Sequence, residues 1–228
     1  MISLCLTNYE RYDLLLQSFE RVLHDARISE IVISDDCSSE DTYKAIEVAC
    51  KKHKKVKLFR NETNVGMSLN KKLAIERATC ENCILFDSDN VLTTDYLTAL
   101  WQSHRYPNVI SVPESGGDKL DYSQFAKWYV SKANINWFLS HPRAEMLLNT
   151  CNYYVNRERY LEVYEHNPEI KASDTIWFNY LWLKKGGAFV IVPGMRYFHR
   201  IHAGSGFMED VPYNEKKCGE ILALIKEL

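Results

Sequence analysis

Along the first half of the chain, short apolar runs alternate with longer stretches in which apolar residues recur every three or four positions. The runs at 2–6, 30–34, 56–59, 83–86 and 109–112 are short and rich in Ile, Val and Leu, which predicts buried strands. Between them, 13–23, 40–52, 68–78 and 94–104 carry a helical period, with Ser39, Ser68 and Thr93 near three of their starts as expected caps. Strand–helix alternation at this spacing implies βαβ crossovers and a mostly parallel, doubly wound sheet flanked by helices.

After Pro113 the rhythm changes. A loop is predicted at 115–118, then an aromatic helical region through Trp128, Tyr129, Trp137 and Phe138, a strand at 152–155 and a helix at 173–184. The segments 188–192 and 195–201 read as a strand pair around Pro193-Gly194, and Pro212 precedes a last helix with Ile221, Leu222, Leu224 and Ile225 on its apolar side. With no repeat, low-complexity tract or linker, one domain over 1–228 is expected, divided into 1–112 and a smaller-featured half at 113–228.

Open α/β sheets bind ligands at the C-terminal mouths of their strands, so the polar residues that end each run carry the chemistry. The fourth run ends in Asp87-Ser88-Asp89-Asn90, whose two carboxylates would share one side of an extended chain and face one divalent cation. The first ends in Thr7-Asn8-Tyr9-Glu10-Arg11 and the second in Asp35-Asp36-Cys37-Ser38-Ser39. Tyr9 offers a flat face to a base and a neighbouring carboxylate can accept from the base's edge, so the three mouths together suit a nucleoside, a pyrophosphate and a metal. Phosphohydrolases of the haloacid dehalogenase type also place DxDx(T/V) after an apolar strand, but on the first strand, whereas three βα units precede Asp87 here.

Four segments in order, 2–9, 30–42, 64–71 and 84–90, resemble family-2 glycosyltransferases of the GT-A fold. The resemblance is close over about the first 110 residues. It implies that Thr7, Tyr9 and Asp36 hold the nucleoside, with Arg11 and Ser88 in the same donor site. Lys71 takes the place of an Arg near the pyrophosphate, keeping the charge without the bidentate fork. Asp89 is the implied metal ligand, with Asp87 on the ribose or a metal-bound water, and Mn²⁺ or Mg²⁺ the implied cofactor.

Later segments extend the resemblance. Asp174, opening a predicted helix that Gly186-Gly187 ends, is similar to the family's late acidic residue and is the candidate base for inverting transfer. Arg200-Ile-His202-Ala-Gly-Ser205 resembles its basic C-terminal segment, where Arg200 would meet phosphate and His202, or else His199, the metal. The implied partners are a nucleoside diphosphate sugar, uridine favoured over thymidine and guanosine, and a glycan or other hydroxyl acceptor. Trp128, Trp137, Tyr153 and Tyr154 are candidates for a sugar platform or plain core.

Composition narrows the alternatives. With 46% apolar and 25% charged residues the chain is an ordinary globular one, and a net charge of −2 gives no field for nucleic-acid backbones. The run at 2–6 meets Asn8, Glu10 and Arg11 too soon for a secretory or membrane-spanning segment, and seven scattered cysteines fit a reducing cytoplasm. Cys80 and Cys83 form a CxxC that no second pair completes. Two rivals remain: a sugar-phosphate nucleotidyltransferase, which would need a Gly-rich loop where Thr7 to Arg11 has no glycine, and a non-catalytic binding module, which would not need Asp89, Asp174 and His202 together.

Overall fold

The computed structural model describes residues 1–200, 208 and 210–228. The expected metal ligand His202 and Ser205 lie outside the described residues. Among the described residues eight strands form one sheet: β1 (Ile2–Asn8), β2 (Ile28–Asp35), β3 (Val56–Arg60), β4 (Asn82–Asp87), β5 (Val109–Ser115), β6 (Tyr129–Ser131), β7 (Tyr153–Asn156) and β8 (Ala188–Arg196), in the order β3-β2-β1-β4-β7-β5-β8-β6. All neighbours pair in parallel except at β7, which is antiparallel to β4 and β5, and at β6, which is antiparallel to β8.

The helices that matter for the site are α1 (Tyr12–Phe19), α2 (Glu40–Cys50), α3 (Met67–Arg77), α4 (Thr94–Gln102), α7 (Arg157–Val163), α8 (Asp174–Lys184) and α9 (Val211–Lys226); α5 (Ile135–Leu139) and α6 (Ala144–Leu148) are short. Alternation along each central strand divides the core into two layers. Leu4, Leu6, Ile31, Ile33, Ile84 and Phe86 pack with Leu15 and Phe19 of α1, Ile46 of α2 and Leu97 and Leu100 of α4. Cys5, Val32, Cys83 and Leu85 face the other way, toward Ala74 and Ile75 of α3 and the apolar residues of α7, α8 and α9. Strands buried on both faces explain why the central runs read as continuous rather than alternating apolar stretches.

Of the expected caps, Thr93 holds: its side chain accepts from the Tyr96 N–H at 3.1 Å. Ser39 occupies the α2 N-cap position without a capping bond and instead donates to Glu10 at 3.0 Å. Ser68 lies inside the first turn of α3, whose N-cap is Gly66 at φ 82°. Glycine takes that left-handed angle at little cost.

Three features of the second half depart from expectation. Trp128 and Tyr129 are not helical: two 3₁₀ turns precede Tyr129, which sits in the edge strand β6, and only 135–139 is helix. Pro193-Gly194 does not turn a hairpin, because β8 continues through it, with Gly194 at φ 75° and a register shift opposite 113–115. Such a shift absorbs the proline, which has no N–H for the ladder, as a bulge. Leu224 is exposed rather than packed, so Ile221 and Ile225 carry the buried side of α9.

Candidate active site

The sheet order changes direction at β1: the chain runs outward through β2 and β3, then crosses back over α3 to place β4 on β1's other side. The crevice at that switch point is where such folds bind ligands. Register pairs Thr7 with both Ser34 and Asp87, and Asn8 with Asp35, so the three strand mouths foreseen in the sequence share one rim.

A cavity of about 440 Å³ opens there, walled by Thr7, Asn8, Tyr9, Arg11 and Asp36, by 64–68 and Asn70 of the next loop and helix, and by His166, Pro168, Ile170 and Lys171. Half of the Tyr9 surface is exposed to it and to solvent (50%). Asp36 is buried and gathers the loop before α3: its Oδ1 accepts from Asn61 Nδ2 and the Val65 N–H, its Oδ2 from the Gly66 N–H, each at 2.9 Å. Asp35 is fully buried, accepting from Asn8 Nδ2 (2.8 Å) and from Ser38 N–H and Oγ (3.0 and 2.6 Å).

The acidic triplet differs from the expected extended arrangement. β4 ends at Asp87, and the Asn90 N–H donates to the Asp87 carbonyl at 3.1 Å, closing a turn. The two carboxylates therefore have different partners. Asp87 follows Cys83 and Leu85 onto the α3/α8 side and faces Lys71 Nζ at 3.6 Å; Asp89 pairs with Arg11, Nη1 to Oδ2 at 2.9 Å. Ser88 points elsewhere: it is fully buried and does not line the cavity.

Lys71 connects this corner to the second half of the chain. Its ammonium, almost wholly buried, pairs with Asp174 Oδ2 at 2.9 Å and donates to Thr175 Oγ1 at 3.3 Å. Asp174 opens α8, where the helix dipole also favours a carboxylate. Burial works against the Lys71 charge, but Asp174 and then Asp87 outweigh it and raise its pKa well above the ordinary lysine value. Desolvation raises the pKa of Asp87; Lys71 pulls it down, and Asp89 and Asp174 push it up further. A water-sized space of about 10 Å³ lies beside Lys71 and Asp174, lined by Tyr153, Tyr160 and Tyr164.

Arg200 reaches the same turn. Its N–H donates to Asn90 Oδ1 at 3.1 Å, Nη1 to the Asp89 carbonyl at 3.4 Å and Nη2 to Gln17 Oε1 at 2.8 Å. Asn90, 1% exposed, thus anchors the C-terminal segment. His199 is exposed, with its N–H donating to the Gly116 carbonyl at 3.0 Å.

Asp87 and Asp89 offer hard oxygen donors at an open strand mouth, which suits Mg²⁺ or Mn²⁺; such ions need only one or two protein carboxylates when substrate phosphates complete the shell. Among the described residues no three His, Cys, Asp or Glu side chains form a cage by themselves. The two carboxylates would hold such a cation together with a diphosphate that completes its shell.

Sequence reasoning missed Asn8 and the 166–171 wall. Asn8, 1% exposed, lines the cavity and is held there by its Nδ2 donating to Asp35 Oδ1 at 2.8 Å, a contact that only the structure supplies. The 166–171 segment has no periodicity to mark it. Conversely, Tyr153 and Tyr154 are 2% exposed core residues on opposite faces of the sheet, and Trp128 stacks on Trp137 at 4.7 Å beside Phe125 and His141.

No curated protein sequence matches this chain. Among solved structures, S. aureus TarS (residues 1–349) in complex with UDP-GlcNAc superposes with a TM-score of 0.72 at 16% identity, over 98% of this chain and 65% of that one. Mannosyltransferase PcManGT from Pyrobaculum calidifontis, in complex with GDP-Man and Mn²⁺, gives 0.65 at 15% identity, over 90% of this chain and 58% of that one. GalNAc-T7 with UDP, GalNAc and Mn²⁺ gives 0.65 at 17%, over 90% and 44%. The chain thus spans less than two thirds of these proteins, and at such identities the likeness concerns the GT-A fold. No helix among the described residues is long and apolar enough to cross a membrane. The family described as Glycosyl transferase family 2 matches residues 3–157, more than half of the sequence, and the chain belongs to it.

Proposed function

We propose that the chain transfers a sugar from a nucleoside diphosphate sugar to a hydroxyl of a glycan or other acceptor, with inversion and with Mn²⁺ or Mg²⁺. The observation that carries this reading is the meeting of Asp87, Lys71 and Asp174 beside a nucleoside-sized cavity lined by Thr7, Tyr9 and Asp36. Bound UDP-GlcNAc, UDP and GDP-Man in the similar structures support a nucleotide-sugar donor, and Mn²⁺ in two of them supports the cation. Uridine remains the favoured base.

In this reading Tyr9 stacks on the base and Asp36, whose oxygens retain acceptor capacity beyond three N–H donors, takes the base's edge N–H. Asp89, supported by Asp87, would hold the cation, which supplies charge stabilisation to the departing diphosphate. Asp174 accepts the acceptor's hydroxyl proton as the oxygen bonds to the anomeric carbon and the carbon–oxygen bond to the diphosphate breaks. As Asp174 becomes neutral, the Lys71 ammonium is left to the negative charge on the donor side. The division into a donor half at 1–112 and an acceptor and catalytic half at 113–228 belongs to the same proposal.

A thermal-shift panel of UDP-, dTDP- and GDP-sugars, each with and without Mn²⁺, tests it. Stabilisation by at least one, larger with Mn²⁺, is expected; a flat response to the whole panel rejects the donor site.

A further inference from the structure

We infer that Arg11 is a built-in counter-ion which competes with the divalent cation for Asp89, so that the cation enters with the diphosphate rather than before it. This rests on the proposed donor site and names a regulation of it.

Arg11 sits at the N-cap position of α1 with φ −127° and ψ 53°, directly after Glu10 in the left-handed region at φ 53°. That backbone aims the guanidinium across the crevice from β1 to the turn after β4, where Nη1 meets Asp89 Oδ2 at 2.9 Å. The pair is sheltered, with side-chain exposures of 24% and 14%, so water screens it only in part. Arg200 holds the same turn through the Asp89 carbonyl and Asn90.

Charge balance follows from these contacts. Among the described residues, three carboxylates, Asp87, Asp89 and Asp174, pair with two cations, Lys71 and Arg11. A free divalent ion therefore approaches a site most of whose negative charge is already neutralised, and it must displace a guanidinium to reach Asp89 Oδ2. A diphosphate changes the balance. Arg11 also lines the nucleoside cavity, so phosphate oxygens entering there offer its fork a new partner and bring the charge the cation needs.

The test is Mn²⁺ binding followed by the loss of the free-ion electron paramagnetic resonance signal, using the full chain with and without UDP. Wild-type protein is expected to bind Mn²⁺ at least tenfold more tightly with UDP present. Arg11→Gln should tighten binding of Mn²⁺ alone by several-fold and shrink the effect of UDP, and Arg11→Lys should fall between. An Arg11→Gln protein, folded by its thermal transition, that binds Mn²⁺ alone no better than wild type would overturn the inference; so would wild-type affinity that UDP leaves unchanged while UDP itself binds. The metal-alone comparison needs no nucleotide, so it still reads the Arg11 contact should UDP fail to bind, an outcome that would instead count against the proposed donor site.

Discussion

Lys71 Nζ lies 2.9 Å from the Asp174 carboxylate and 3.6 Å from that of Asp87, joining the start of α8 in the second half of the chain to the end of β4 in the first. With Lys71 only 7% exposed, removing its charge leaves two carboxylates facing each other with no cation between them. Lys71→Met should cost about 3–5 kcal/mol of stability, the usual penalty for breaking a buried ion pair from one side. Lys71→Arg should recover much of it. Urea unfolding of the two variants checks this, and equal losses in both would show that charge is not what the site requires.

The base assignment gives a separable effect. Asp174→Asn keeps the side-chain shape but weakens proton acceptance, so transfer should fall by about 100- to 10,000-fold while UDP affinity changes little. Steady-state transfer and calorimetric UDP binding on the same preparation read the two effects apart. Transfer at the wild-type rate would remove Asp174 from that role.

How much of this was readable in advance depended on what each residue's neighbours do. The β1–β4 strands and their mouths were legible because parallel strands buried on both faces leave continuous apolar runs, and Thr7, Asp36 and Asp87 follow those runs directly. Asp174 was legible as the first residue of a helix, but its partner was not: Lys71 is 103 positions away, and only the crossing of α3 and α8 over one face of the sheet brings them together. The apparent Pro193-Gly194 hairpin failed because a bulge in a long strand and a turn carry the same residues, and the tertiary pairing of β8 with β5 decides between them. Tyr129 was misplaced because an edge strand of three residues has no period to detect.

A glycine outside the site has a clear packing role. Gly187, after α8, leaves no room for a Cβ, which would come 2.3 Å from the indole Nε1 of the fully buried Trp182. Gly187→Ala must shift that ring and its hydrogen bond to the Ala188 carbonyl (3.0 Å), for a loss of about 1–3 kcal/mol in chemical denaturation. Gly219→Ala, with open space around it, is the control and should be neutral or stabilising because α9 continues through it.

Acid sensitivity should centre on Glu30. Burial opposes its ionisation, but the Lys57 ammonium, Ser3 and Thr79 together hold its pKa down to about 2, below the ordinary value of 4.5. A depressed folded-state pKa means that its contribution is complete above the unfolded value and fades as pH falls from about 4.5 toward 2. Glu30→Gln should therefore lower the melting temperature at pH 7, and the gap from wild type should close through that acid window. A gap of constant size from pH 7 to pH 2 would mean that the loss is one of packing rather than charge.

The most direct measurement of the central claim is calorimetric titration of UDP into the protein in the presence of Mn²⁺, repeated with Asp36→Ala and Asp89→Ala. Saturable binding near one equivalent, weakened by Asp36→Ala through the base and by Asp89→Ala through the cation, is the predicted result. Absence of binding to the wild-type chain, or binding that neither substitution affects, would contradict a nucleotide-sugar site at the mouths of β1, β2 and β4.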